Sequence, residues 1–105
     1  MKYFTIKELC KSSTATQKKI DNTPNSDIVK NLELLVEHIL DPLREKYGKP
    51  IRVNSGYRCL ALNNAINGSK TSQHMKGLAA DITAGSTSEN KKLFKLIIEM
   101  SLPFD

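Results

Sequence analysis

The chain has 105 residues, 39% hydrophobic and 26% charged, the composition of one ordinary globular domain able to bury its own core. No run approaches the roughly 18 apolar residues of a membrane span. The amino-terminal MKYFTIKELC lacks the apolar stretch of a secretion signal, so the chain as given reads as cytoplasmic or as exported by something it does not encode. A net charge of +5 and a pI near 9.3 raise nucleic-acid binding. The lysines are scattered, however, and the arginines are only Arg44, Arg52 and Arg58, with no Arg-rich run and no lysine–aromatic interleaving. Neither nucleic acid nor a membrane is expected as a partner. The spacing of Cys10 and Cys59 matches neither a zinc knuckle nor a C-x-x-C pair. Two reduced, buried or half-buried thiols are the plain reading, and a disulfide between them stays open.

In chain order, Thr5-Ile-Lys-Glu8 is a capping box that opens a short helix through about Lys11. The polar stretch Ser12–Pro24 is a surface connection with a helical turn around Thr16–Ile20. Asn25 or Ser26 starts the longest helix, with Asp27 near its positive end. Its apolar stripe is Ile28, Leu32, Leu35, Val36, Ile39 and Leu43. Pro42 should kink this helix or divide it at Asp41, and Gly48 and Pro50 end it. His38 lies off the stripe, as a solvated surface histidine. Ile51–Arg58 reads as a strand, with Gly56 marking a bulge or a close backbone approach. Cys59–Ile66 is a short helix, Asn67-Gly68 a turn, Ser69–Gly77 a polar loop and Leu78–Thr83 a second strand. Ser86-Thr-Ser-Glu89 caps a last helix through about Met100, facing inward with Leu93, Phe94, Ile97, Ile98 and Ser101 and stopped by Pro103. The sum is an α+β chain whose strands cannot be joined by a tight hairpin. A sheet of two strands is marginal, so at least one more is expected.

Within Ser69–Asp81, SKTSQHMKGLAAD, a histidine in a polar loop, a glycine pivot and an acid in a short strand follow one another. Neutral imidazole and carboxylate are both zinc ligands, at about 2.0–2.2 Å. Strand phase places Asp81 with Ala79 and Thr83, opposite Ala80 and Ile82, leaving room beside the acid for a metal and its water. Each residue alone has a bland explanation. His74 reads equally as a solvated loop histidine, and Asp81 as a strand-end acid satisfying backbone donors.

Three segments change the balance when taken together: SGYR (Ser55–Arg58), Leu62-Asn63, and S-x-H-x-x-G-x-A-x-D (Ser72, His74, Gly77, Ala79, Asp81). They resemble the zinc D-alanyl-D-alanine carboxypeptidase family, the group that also holds vancomycin-resistance D,D-peptidases and phage cell-wall endopeptidases. FT-x-x-E-L, NTP and PLREKYG-x-P resemble its small single-domain branch, so the likeness runs from Phe4 to Asp105. It implies an α+β fold, with helices packed on a small, mainly antiparallel sheet. It implies His74 and Asp81 as two of three zinc ligands, and Arg58 as the catalytic group facing the scissile carbonyl or its oxyanion. Ser72 would hydrogen-bond the substrate, a peptidoglycan stem peptide, and Gly77 would permit the turn between the ligands.

The family's third ligand is a histidine on a later strand, with a general base nearby. No histidine follows His74. The expectation is therefore a peptidase-like domain whose last strand or strands are missing, with zinc absent or partly occupied and little or no hydrolysis. The alternative is a non-catalytic module of the same fold that binds cell wall or a partner. Action would be at the cell wall if the chain is released. The choice among carboxypeptidase, dipeptidase and endopeptidase lies in loops that the sequence does not resolve.

Overall fold

A stripe of leucines on one long helical stretch collects the core. The computed structural model describes residues 2–102. In it Asn25 caps α3 (Ser26–Leu35), its Oδ1 accepting the Ile28 N–H at 2.9 Å. A π-helical turn, Val36–Leu40, leads without a break into α4 (Asp41–Tyr47), which Gly48 ends in the left-handed conformation. The division falls at Asp41 as expected, and Pro42 explains the π turn. Proline offers no N–H to the His38 carbonyl and its ring crowds that oxygen. The chain widens just upstream, so that the Asp41 N–H donates to Val36, five residues back. The extra residue in that turn brings Leu40 into the core along with Leu32, Leu35, Val36 and Leu43. Ile28 and Ile39 pack at its edge, and His38 is exposed.

Against this stretch lie α1 (Ile6–Leu9), capped by Thr5 at 3.1 Å from the Glu8 N–H, and α6 (Thr87–Glu99), capped by Ser86. The inward face of α6 is Leu93, Leu96, Ile97 and Met100. Phe94 and Ile98, expected inside, are 48% and 52% exposed. Two stripes overlap on this helix, 93/96/97/100 and 94/98/101, and periodicity alone does not choose between them. The Ser12–Pro24 connection holds α2 (Ser13–Gln17), earlier than the turn expected at Thr16–Ile20. Its N-cap is Ser12, whose hydroxyl accepts from Ala15 at 3.2 Å without an acid at that position to mark a capping box in the sequence. The expected stop at Pro103 lies outside the described residues.

The sheet of the described residues is one antiparallel pair, β1 (Arg52–Ser55) and β2 (Asp81–Thr83), with Arg52 opposite Thr83, Val53 opposite Ile82 and Ser55 opposite Asp81. The register shift puts the bulge at Asn54, two residues before Gly56. Gly56 instead makes the close approach: a Cβ there would lie 2.2 Å from the Leu9 carbonyl oxygen. The second strand is shorter than the Leu78–Thr83 expected. The Leu78 N–H donates back to Gln73, so the chain is still turning where a ladder would begin. Between the strands run α5 (Leu60–Ala65) and a 3₁₀ turn, Gln73–Lys76, which interrupts the loop expected over Ser69–Gly77. Ala80 and Ile82 pack on the core while Asp81 faces out, in keeping with the strand phase. Both cysteines are free and half-buried, and burial raises the Cys10 thiol pKa.

The amino terminus is tied to α4. Asp41 accepts the Lys2 and Tyr3 N–H groups at 2.7 and 3.0 Å, and the Arg44 guanidinium sits 4.7 Å from the Tyr3 ring centre. At the other end of α4, Glu89 gathers Lys92 Nζ at 2.8 Å, Tyr47 Oη at 2.5 Å and Lys49 Nζ at 2.9 Å. These donors, Lys92 foremost, pull its carboxyl from the ordinary 4.5 down to about 2.

Two outcomes follow from these contacts. Replacing Gly56 by alanine drives a methyl group into backbone and should cost about 3 kcal/mol or more, read as a lowered urea midpoint, or leave the chain unfolded. Because the Glu89 pKa is depressed on folding, its contribution is complete above pH 4.5 and fades as pH falls toward about 2. Glu89→Gln should flatten the loss of stability across that window in denaturation curves taken from pH 2 to 7. An acid limb as steep as the parent's would refute the clamp's role.

Candidate functional site

The 3₁₀ turn at Gln73–Lys76 is built to hold one imidazole. Ser72 caps it, its Oγ accepting the His74 N–H at 3.2 Å, and Gly77 closes it at φ +71°. A side chain at Gly77 would also meet the Ile28 carbonyl at 3.0 Å and Leu32 at 3.2 Å, so the turn is pressed onto α3. Asn31 of the same helix also holds it, donating to the Lys76 carbonyl at 2.8 Å. Asn63, fully buried on α5, donates to the Ser69 carbonyl at 2.9 Å and sets where the loop begins.

The His74 ring is 12% exposed, and its Nδ1 lies 2.7 Å from the Gly56 carbonyl. A carbonyl only accepts, so Nδ1 carries the proton and, in the neutral ring, Nε2 keeps its lone pair. That lone pair faces Asp81 Oδ2 at 3.5 Å. Two acceptors so placed want a cation or a proton between them. Ligands about 2.0–2.2 Å from a tetrahedral ion stand about 3.4 Å apart, so the spacing fits a shared zinc. Histidine ligands commonly donate their second N–H to a backbone carbonyl, as His74 does. Asp81 is 65% exposed at the head of β2, so the imidazole is fixed and the carboxylate is open to solvent. No group of three or more His, Cys, Asp or Glu side chains suited to a metal occurs among the described residues.

Arg58 follows β1, in a segment with no regular structure. Its N–H donates to the His74 carbonyl at 3.1 Å and its Nη2 to Ser72 Oγ at 3.2 Å. The Nε atom is buried with no partner. Ser72 Oγ thus accepts from both Arg58 and the His74 N–H, leaving its own proton to donate elsewhere. The structure therefore brings Arg58, Ser72, His74 and Asp81 into one connected region.

One residue of this region entered the sequence reading only as part of the NTP stretch, with no role at the site. Asn22, 9% exposed, donates through Nδ2 to the Cys10 and Tyr57 carbonyls at 2.9 and 3.0 Å and accepts the Cys59 N–H at 2.8 Å. An asparagine before Thr-Pro reads as turn chemistry, and nothing local in the sequence points to these distant partners.

Comparison with known proteins identifies the family. No solved structure matches the chain. A curated relative, a zinc D-Ala-D-Ala carboxypeptidase of Streptomyces albus G, is 46% identical over 48 residues, covering 45% of this chain and 19% of the relative. The chain thus matches about a fifth of that protein's length. A profile of the family described as Peptidase M15 matches residues 2–103, nearly all of the sequence. The chain belongs to the Peptidase M15 family.

Proposed function

We propose that this chain is a zinc peptidase domain acting on D-Ala-containing peptidoglycan stem peptides, with His74 and Asp81 as metal ligands. The observation that carries the reading is the His74 Nε2 lone pair held 3.5 Å from Asp81 Oδ2, with Nδ1 committed to the Gly56 carbonyl. The carboxypeptidase relative lends support for zinc and for the substrate class. The chemistry a zinc ion supplies in such a place is Lewis-acid polarisation of a carbonyl and a water pKa lowered toward about 7.

The chain's own residues have distinct tasks in this reading. Arg58 is the catalytic group. Its guanidinium stays charged and carries donors beyond the one Nη2 bond to Ser72, which can take the substrate's carbonyl oxygen as negative charge develops there. Ser72, saturated as an acceptor, donates its hydroxyl proton to the substrate and so orients it. His74, locked by Gly56 and the turn, is a ligand that need not reorganise.

Two protein ligands hold zinc less firmly than three, so the 105-residue chain should bind zinc weakly and hydrolyse slowly. The two-ligand set among the described residues also favours a second reading, a non-catalytic module that binds cell wall or a partner. Such a module would hold peptidoglycan equally well with and without chelator. In the peptidase reading the site of action is the cell wall, once the chain is released. No helix of the described residues is long and apolar enough to cross a membrane.

The direct measurement is zinc titration of the metal-free chain by calorimetry, alongside D-Ala release from a peptide ending in D-Ala-D-Ala. One zinc per chain is expected, with affinity falling at least about tenfold in both His74→Ala and Asp81→Ala. Zinc binding indifferent to both substitutions would sink the ligand assignment. Fast hydrolysis by the parent chain would sink the expectation of weak activity. Ser72→Ala removes the cap of the 3₁₀ turn and the partner of Arg58, and should cost about 0.5–2 kcal/mol in denaturation. Ser72→Thr keeps the oxygen and should recover most of that loss.

A further inference from the structure

We infer that Asn22 is the positioning residue of this site, its carboxamide fixing the backbone on both sides of Arg58 and thereby setting the guanidinium against Ser72, beside the loop of His74. The inference rests on the reading of Arg58 as the group that faces substrate.

The segment Tyr57–Cys59 lies between the end of β1 at Ser55 and the start of α5 at Leu60, with no ladder to hold it and only Cys59, the N-cap of α5, tied to a helix. Its place is set by bonds to distant parts of the chain. The Tyr57 N–H reaches the Leu9 carbonyl at 2.8 Å, and the Arg58 N–H reaches the His74 carbonyl at 3.1 Å. The Cys59 carbonyl accepts the Asn63 N–H of α5 at 2.9 Å, and two further bonds are both to Asn22: the Tyr57 carbonyl at 3.0 Å and the Cys59 N–H at 2.8 Å. One side chain therefore grips the residue before Arg58 and the residue after it. It is anchored in turn on the Cys10 carbonyl at 2.9 Å, at the end of α1.

The guanidinium cannot locate itself. It makes one side-chain hydrogen bond among the described residues, to Ser72 at 3.2 Å, and Nε has no partner. A long side chain with one hydrogen bond is aimed mainly by the backbone that carries it. Because the Arg58 N–H is bonded to the His74 carbonyl, a shift of this backbone also disturbs the residue that bears the imidazole. Only a carboxamide satisfies the three partners, since two carbonyls require donors and one N–H requires an acceptor. Aspartate keeps the acceptor and loses both donations.

The test uses the isotope-labelled 105-residue chain and its Asn22→Ala and Asn22→Asp variants, with amide hydrogen exchange and the Arg58 Nε–H resonance followed by NMR. In N22A the Arg58 and Cys59 amides should exchange about tenfold or more faster, while Leu43 and Ile97 amides in the core helices change much less. The Arg58 Nε–H signal should shift or broaden. In N22D the Cys59 amide should keep more protection than the Arg58 amide, because the carboxylate still accepts from it. Should N22A fail to fold, the N22D spectra decide on the same signals. Exchange that rises by one common factor throughout would assign Asn22 a purely global role and overturn the inference. So would loosening confined to the end of α1 with Arg58 unmoved. None of these signals requires hydrolysis, so failure of the peptidase reading would show separately, as absent D-Ala release.

Discussion

The site depends on a single backbone crossing, where Gly56 passes the end of α1. A Cβ there would stand 2.2 Å from the Leu9 oxygen, so glycine alone lets the two chains approach. The approach lets the Tyr57 N–H reach that same oxygen at 2.8 Å, which docks the amino-terminal helix on the end of β1. The carbonyl of Gly56 then fixes the His74 tautomer. Packing, strand placement and ligand chemistry meet at one residue whose contribution is the absence of a side chain. The site is accordingly a product of long-range contacts: the partners of Gly56 are 47 residues upstream at Leu9 and 18 downstream at His74.

What the sequence made legible was local chemistry and its order. Thr5 and Ser86 cap the helices that they were expected to cap, and Gly48 ends α4 as its position implied. Gly56 was marked as a bulge or a close approach, and it is the latter. What was not legible depends on contacts between remote segments. Ser12 caps α2 without an acid three residues later, so half the signal was missing. Phe94 and Ile98 sit on a second apolar stripe of α6, and only the packed neighbour decides which stripe turns inward. Asn22 resembles any turn asparagine until its three partners, at 10, 57 and 59, are seen around it.

Pro42 shows both levels at once. Its missing N–H and its ring dictate a defect in the helix, and that much is local. The form of the defect is a π turn rather than a kink, because the segment on either side is already committed to the core through Leu32, Leu35, Leu40 and Leu43. Absorbing one extra residue keeps both apolar faces inward, at the cost of weaker bonding in one turn. The same stretch, upstream of the π turn, carries Asn31, Ile28 and Leu32 to the loop of His74.

The bulge at Asn54 has a comparable consequence for Asp81. A regular ladder continuing from Arg52–Thr83 and Val53–Ile82 would set Asn54 opposite Asp81, leaving Gly56 two positions beyond the acid's partner. With one residue looped out, Ser55 takes that place and Gly56 follows directly. Each strand residue advances about 3.3 Å. That step is as large as the whole 3.5 Å separation between Nε2 and Oδ2. Since Gly56 anchors the imidazole and β2 anchors the carboxylate, a ladder without the bulge would carry the two side chains apart. Neither the histidine nor the aspartate encodes their meeting. It is the slipped register, with a glycine placed just after it, that makes a pair of them.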